Sequence, residues 1–328
     1  MTKPLVKKKP KISLIGSGNI GGACAYLIAT KNLANVVLFD IVEGLPQGKA
    51  LDISSSIIIE EGDISIMGTN NYSDISDSDV IIVTAGLTRT SNPSDVPFDR
   101  SQLLAHNAKI ITNVAENIKK YSPNSFIIVI TNPLDSMAWL MQKVSGFAAN
   151  MVVGMAGGLD TSRFCYFLGK ELGVSPKRIQ GTIIGEHGNN MLPLARFSKM
   201  DGAPLDEVLR EKNNGEEIMK NVIKKTKETG GKILELMGAS AYCAPSTAAI
   251  DIALSYLNDK KKTILCSSLL NGQYGVSDLF MGTPVIIGSN GVEKVIELDL
   301  QEDEQKELQN SVTAIRKMLD ALKETTSF

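Results

Sequence analysis

Two periodicities alternate along the first half of the chain. Short runs of β-branched and other apolar residues at 11–15, 35–39, 80–84, 125–131 and 151–154 predict strands. Between them, stretches at 20–31, 47–56, 100–121 and 134–145 predict helices. Strand–helix alternation of this kind predicts a parallel sheet with right-handed crossovers. The pattern changes after Asp160. A helix with Phe164, Phe167, Leu168 and Leu172 on one side leads to a short strand before His187 and a hairpin-like stretch at Asp201-Gly202. Long helices at 216–237 and 244–258 come next, then strands near 263–268, 285–289 and 295–298. An amphipathic helix closes the chain over 302–325, with Leu308, Val312, Ile315, Leu319 and Leu322 as its stripe. The expected architecture is α/β: a doubly wound parallel sheet over residues 1–152, then a mixed α+β domain over 153–328, with the site in the cleft between them.

Composition narrows the class without naming a chemistry. Apolar residues make up 43% and charged residues 21% of 328, which suits a globular protein with ample core. A net charge of −2 gives no electrostatic reason to expect nucleic acid or anionic membrane as a partner. Cys24, Cys165, Cys243 and Cys266 are widely spaced, with no CxxC and no metal-ligand spacing, and read as thiols in a reducing compartment. No apolar run reaches the roughly 18 residues that span a bilayer. The basic start, Lys3 to Lys11, runs into a strand without a signal-peptide apolar region, so a cytosolic location is expected.

The first chemical signal is Gly16-Ser17-Gly18-Asn19-Ile20-Gly21, which follows a strand and opens a helix. Gly16 permits the tight turn, Gly18 lets the backbone approach a pyrophosphate, and Gly21 lets helix and strand pack closely. The amides at Asn19 and Ile20 open the helix and, with its dipole, favour an anion. A bare glycine pattern is often only a turn. Here the next strand ends at Asp40, 22 positions after Gly18, where a carboxylate accepts ribose hydroxyls and repels the extra phosphate of NADP. The expected cofactor is therefore NAD.

The second signal is His187, one of two histidines, set between glycines after an apolar run. The other, His106, lies in a stretch that reads as helix. A group titrating near neutrality is the natural proton carrier at pH 7. Asp160 and Arg163 stand three apart on one helix face, which in isolation is an ordinary ion pair. Beside His187 they acquire separable roles: Asp160 orients the imidazole and stabilises its charged form, and Arg163 grips a substrate carboxylate through two parallel hydrogen bonds. Asn132, at the end of a strand, falls at the carboxyl edge of the sheet.

Taken in order, GSGNIGG, VVLFDI, VTAG, TNP, GMAGGLDTSRF, GEHG and NGQYG, with 27 positions from Asp160 to His187, make the chain resemble the L-lactate/L-malate dehydrogenases along nearly its whole length. The resemblance implies that His187 and Asp160 form the proton relay and that Arg163 binds the carboxylate shared by 2-hydroxy acids. It implies that Arg100 polarises the ketone when its loop closes and that Asn132 orients substrate and cofactor. Thr84, Ala85 and Gly86 would line the cofactor, and the protein would be a homodimer or homotetramer.

The segment from Arg89 to Arg100 is longer than in typical malate enzymes and resembles the insertion of apicomplexan lactate dehydrogenases. Phe98 takes the place of their tryptophan, while Arg89 keeps the residue type that malate enzymes use for a distal carboxylate. The expected substrate pair is pyruvate/L-lactate ahead of oxaloacetate/L-malate, with mixed activity as a third outcome. Two departures stand out: Asn189 where the family usually has an acid, and Cys165 where an arginine often follows Arg-Phe. A nicotinamide-dependent glycosidase would need a metal held by Cys and His, and no metal is expected here. A non-catalytic NAD-binding protein would have no need to keep Arg100, Asn132, Asp160, Arg163 and His187 together.

Overall fold

The computed structural model describes residues 9–88 and 100–325, with the backbone alone at residues 100 and 101. Among the described residues six strands build the first half: β1 (Lys11–Ile15), β2 (Asn35–Phe39), β3 (Ile66–Thr69), β4 (Val80–Val83), β5 (Phe126–Val129) and β6 (Val152–Gly154). They run parallel in the order β3-β2-β1-β4-β5-β6. Helices α1 (Asn19–Thr30), α2 (Leu45–Ile59), α3 (Arg100–Tyr121) and α4 (Leu134–Ser145) form the crossovers. The order reverses between β1 and β4, and such switch points are where doubly wound sheets bind ligands.

Strands β4 and β5 read Val-Ile-Ile-Val and Phe-Ile-Ile-Val and are buried on both faces. Ile81, Val83, Ile127 and Val129 pack in one core layer with α3 and α4, and Val80, Ile82, Phe126 and Ile128 in another with α1. Continuous apolar strands are what a sheet covered on both sides requires.

The second half does not make a separate sheet. Strands β7 (Ile179–Gln180), β8 (Ile183–Ile184), β9 (Leu192–Pro193), β10 (Lys199–Met200) and β11 (Ala203–Pro204) form two small antiparallel pieces. The long β12 (Lys262–Asn271), β13 (Ser277–Gly288) and β14 (Gly291–Val295) then extend the parallel sheet as an antiparallel meander, joined where Ser267 pairs with Gly154. The result, among the described residues, is one nine-stranded sheet. Helices α5 (Ala156–Leu172), α6 (Leu205–Arg210) and α7 (Gly215–Met237) enclose a third core around Phe164, Leu168 and Val222. Helix α8 (Cys243–Leu257) covers the β1–β5 face beside α1, and α9 (Glu302–Thr325) seals the opposite face with its predicted stripe.

Two expectations need correction. Strand β3 was not foreseen, because an edge strand with a half-exposed Ile-Met-Gly-Thr pattern lacks the apolar run used to find the others. The last strand spans 291–295 rather than 295–298, since the turn after Gly288 sets the register of the β13–β14 hairpin. Among the described residues no helix is long and apolar enough to cross a membrane, and no cluster of side chains has the makings of a metal site.

Candidate active site

At the switch point the glycines meet physical requirements. Gly16 has φ +106°, and a Cβ there would strike the Thr84 side chain and the Ala85 backbone. A Cβ on Gly21 would lie 1.9 Å from the Gly16 carbonyl oxygen, so α1 can approach β1 only without a side chain at that position. Gly18 differs: a Cβ there would meet no protein atom within 4 Å. Its open side lies at the N-terminus of α1, as a pyrophosphate cradle requires. Asp40 is tied to this loop, accepting the Ser17 N–H at 2.6 Å and the Val42 N–H at 3.0 Å. Thr84 donates to the Gly16 carbonyl at 3.0 Å, which joins the β1 and β4 loops. These residues fit a bound dinucleotide.

A cleft of about 360 Å³ runs from Ile20, Thr84 and Gly86 past Asn132 to Arg163 and His187. Its two ends are thus the cofactor loop and the polar groups expected from the sequence. Asp160, on α5 and only 2% exposed, lies behind the histidine. His187 Nδ1 is 2.7 Å from Asp160 Oδ2, and Arg163 Nη1 stands 3.7 Å from Asp160 Oδ1. Burial opposes the charged imidazolium. The Asp160 carboxylate and its hydrogen bond outweigh that, with Asp135 adding, so the His187 pKa lies above its ordinary value although Arg163 acts against the shift. Burial lowers the Arg163 pKa, opposed by Asp160. His106 is exposed on α3, bonded to the Gln102 carbonyl, and takes no part in this cleft.

Arg89 and Phe98 lie outside the described residues, as does the Arg100 side chain. Helix α3 begins at Arg100, so the long segment feeds directly into it. The fully buried Asn107 on α3 pins the stem of that segment. Its amide accepts the Leu87 N–H at 2.7 Å and donates to the Asn132 carbonyl at 2.7 Å.

Several supporting residues escaped sequence reasoning. Asp135, 5% exposed in the first turn of α4, accepts the His187 backbone N–H at 2.9 Å and the Ser267 hydroxyl at 2.6 Å. Burial pushes its pKa up to about 6, against the lowering effect of both bonds. An acid amid Leu134, Met137 and Ala138 was the available signal, but first-turn acids are common on helices. Ser311, fully buried on α9, accepts the Glu186 N–H at 3.1 Å and donates to the Asn190 carbonyl, closing the histidine loop at both ends. Gly185 has φ +95°, and a Cβ there would strike the Ser311 hydroxyl. Glu186 also accepts from the Asn190 N–H at 3.2 Å, so the loop is braced around Asn189. Cys165 is half-buried beside the third core and donates to the Ile179 carbonyl at 3.7 Å.

Comparison with known proteins identifies the family. Residues 10–154 match the NAD-binding domain of lactate/malate dehydrogenases, and residues 158–326 match the alpha/beta C-terminal domain of the same family. A malate dehydrogenase of Geotalea uraniireducens (strain Rf4) is 46% identical over 321 residues, 96% of this chain and 99% of the relative. The crystal structure of Cryptosporidium parvum malate dehydrogenase is similar with a TM-score of 0.92 at 42% identity, covering 96% of this chain and 99% of that one. Lactate dehydrogenase from Cryptosporidium parvum, solved with lactic acid and nicotinamide adenine dinucleotide, gives 0.91 at 44% identity, over 97% of this chain and 99% of that one. Both halves match in order and almost end to end: the chain belongs to the lactate/malate dehydrogenase family of NAD-dependent 2-hydroxy acid dehydrogenases.

Proposed function

We propose that the protein interconverts an L-2-hydroxy acid and its 2-oxo acid with His187 as the proton carrier. The carrying observation is the His187–Asp160 bond at 2.7 Å in a cleft that also contains Arg163 and leads to the cofactor loop. Bound NAD supplies the acceptor or donor of the hydride. In ketone reduction the protonated His187 gives its proton to the forming hydroxyl, and in the reverse direction the neutral imidazole takes it. Asp160 holds the tautomer and stabilises the imidazolium. Arg163 binds the carboxylate next to the reacting carbon, Asn132 orients the substrate oxygen, and Arg100 polarises the carbonyl when the 89–100 segment closes. Gly16, Gly18, Asn19, Ile20 and Gly21 cradle the pyrophosphate, Asp40 holds the adenosine ribose, and Thr84, Ala85 and Gly86 flank the nicotinamide side. Residues 1–152 hold the cofactor, and residues 153–328 supply Asp160, Arg163 and His187 for the acid, which Asn132 and the 89–100 segment reach from the first half.

For the acid we put pyruvate/L-lactate first on pocket chemistry. Arg163 in the cleft would hold the carboxylate that both acids share, so the choice between them falls on the 89–100 segment. A second carboxylate without a cation would cost several kcal/mol to desolvate. Phe98 would supply an apolar contact for the pyruvate methyl. The names of the relatives support the second reading, oxaloacetate/L-malate, better than this one: the 46% relative is a malate dehydrogenase, and similar structures carry both names. Arg89 would then pair with the distal carboxylate. Measuring kcat/KM for pyruvate and oxaloacetate in the parent and in Phe98→Ala separates the two. A parent strongly favouring oxaloacetate, with the ratio untouched in Phe98→Ala, overturns the lactate reading.

We also propose a homo-oligomer, dimer or tetramer. Supporting it, α2 exposes Leu51, Ile58 and Ile59 at 72%, 74% and 84%, an apolar face of the kind that subunit contacts cover. Sedimentation at assay concentration tests this, and an active monomer would refute it.

A further inference from the structure

Gly22 is one glycine more than the phosphate-loop pattern needs. Gly16, Gly18 and Gly21 satisfy that pattern, and Gly22 follows in the first turn of α1, where glycine is a poor helix former. The structure gives it a reason. Lys49 reaches across from α2, and a Cβ on Gly22 would stand 3.0 Å from its Nζ and 3.4 Å from its Cδ. The ammonium donates to the Gly18 carbonyl at 2.7 Å, an oxygen that also accepts the Gly22 N–H at 3.0 Å. The rest of that first turn, Asn19-Ile20-Gly21, contains no charged side chain. Lys49 therefore brings to this helix N-terminus a positive charge that α1 itself lacks there; partial burial lowers its pKa, and the nearby Asp40 carboxylate opposes that.

We propose that Lys49 is a positioning and affinity residue for the cofactor's pyrophosphate, and that Gly22 is glycine to leave it room. By holding the Gly18 carbonyl, Lys49 keeps the amides that follow turned toward the anion. Its ammonium adds to the helix dipole at short range, where a dianionic pyrophosphate gains from both. The inference rests on NAD binding at the glycine loop and is independent of which acid the enzyme reduces. The competing outcome is that Lys49 makes an ordinary surface hydrogen bond of negligible weight.

Fluorescence titration of the apoprotein with NADH decides between them, with Lys49→Met, Gly22→Ala and the double variant. The expected result is a Kd for NADH raised about five- to tenfold by Lys49→Met, in line with loss of a charge-assisted bond. Gly22→Ala should raise it about two- to fivefold by displacing the ammonium, while the melting temperature of the apoprotein holds or rises because alanine favours helix. The double variant should be no worse than Lys49→Met alone. Added salt should weaken NADH binding to the parent more steeply than to Lys49→Met. In turnover assays the loss should fall on KM for NADH rather than on kcat. A Kd within twofold of the parent in Lys49→Met overturns the proposal, and so does a Gly22→Ala effect that adds fully to it.

Discussion

The backbone N–H of His187 donates to the carboxylate of Asp135 at 2.9 Å, across 52 positions of sequence. Asp135 sits three residues after Asn132, so the histidine loop and the β5 edge share one buried brace. Ser267 completes it from β12, next to the point where the antiparallel strands join the parallel ones. His187, the proposed proton carrier, is therefore held from the main chain by Asp135 and from the side chain by Asp160.

Asp135→Asn should separate position from charge, since the amide keeps an acceptor oxygen for the His187 N–H. Loss of the charge removes one of the influences that raise the His187 pKa. The pH at which ketone reduction fails should move down, and kcat/KM at neutral pH should fall by up to about tenfold, ~1.4 kcal/mol. NADH affinity, read by fluorescence, should hold. A pH profile identical to the parent's would remove Asp135 from the proton chemistry.

The two reaction directions should respond to pH with opposite signs. Reduction needs the imidazolium, so its rate should hold below the raised His187 pKa and fall as pH climbs through it. Oxidation needs the neutral ring and should rise over the same interval. Asp160→Asn, by deleting the charge that chiefly lifts the pKa, should shift the reduction limb to lower pH. His187→Ala should lose roughly 10²- to 10⁴-fold in turnover while still binding NADH. Near-parental reduction by that variant would end the assignment.

Arg163→Ala should act mainly through the substrate. Two charge-assisted bonds to a carboxylate are worth about 3 kcal/mol together, so kcat/KM should drop by roughly 10² with most of the loss in KM. Arg163→Lys should recover only part, because an ammonium lacks the planar fork. If KM for the 2-oxo acid stayed put in the alanine variant, the carboxylate would have to bind elsewhere.

Asp40→Ala should weaken NADH by about tenfold and relax discrimination against NADPH, since the same carboxylate organises the loop and is the group proposed to hold the ribose. The check is a pair of dissociation constants, one per dinucleotide. Unchanged discrimination would mean that another group excludes the 2′-phosphate.

Ser311→Ala removes a hydroxyl that closes the histidine loop from α9. Leaving the Glu186 N–H and the Asn190 carbonyl without it should lower stability by about 2 kcal/mol. It should also lower kcat several-fold without changing NADH affinity, and Ser311→Cys should restore part of the rate. A variant that melts earlier but turns over normally would make Ser311 a purely structural residue.

Much of this was legible along the chain. The bounds of β1, β2, α3, α4 and α9 emerge as the apolar spacing predicts them, because each buries a regular face against a neighbour. The glycine loop and Asp40 were legible for a similar reason: close backbone approach to an anion admits few residue types at fixed spacing. His187, Asp160 and Arg163 stood out through scarcity and motif. Asp135, Asn107, Ser267, Ser311 and Lys49 did not, since a lone polar residue in an element looks the same whether it faces water or a neighbour 100 positions away.

By itself, the sequence determined the parallel half of the fold and the glycine loop, and it singled out His187, Asp160 and Arg163 as candidates. These depend on local periodicity and on side-chain chemistry at short spacing. The tertiary structure alone decided that the second half extends the first sheet through the Ser267–Gly154 pairing instead of forming its own. It also decided that Asp135 and Ser311 hold consecutive amides of the histidine loop, at Glu186 and His187, from two different helices. Such contacts arise when packed layers bring distant backbone to within hydrogen-bonding distance, and burial then requires each polar group to find a partner. Nothing in the local pattern of residues encodes which partner that will be.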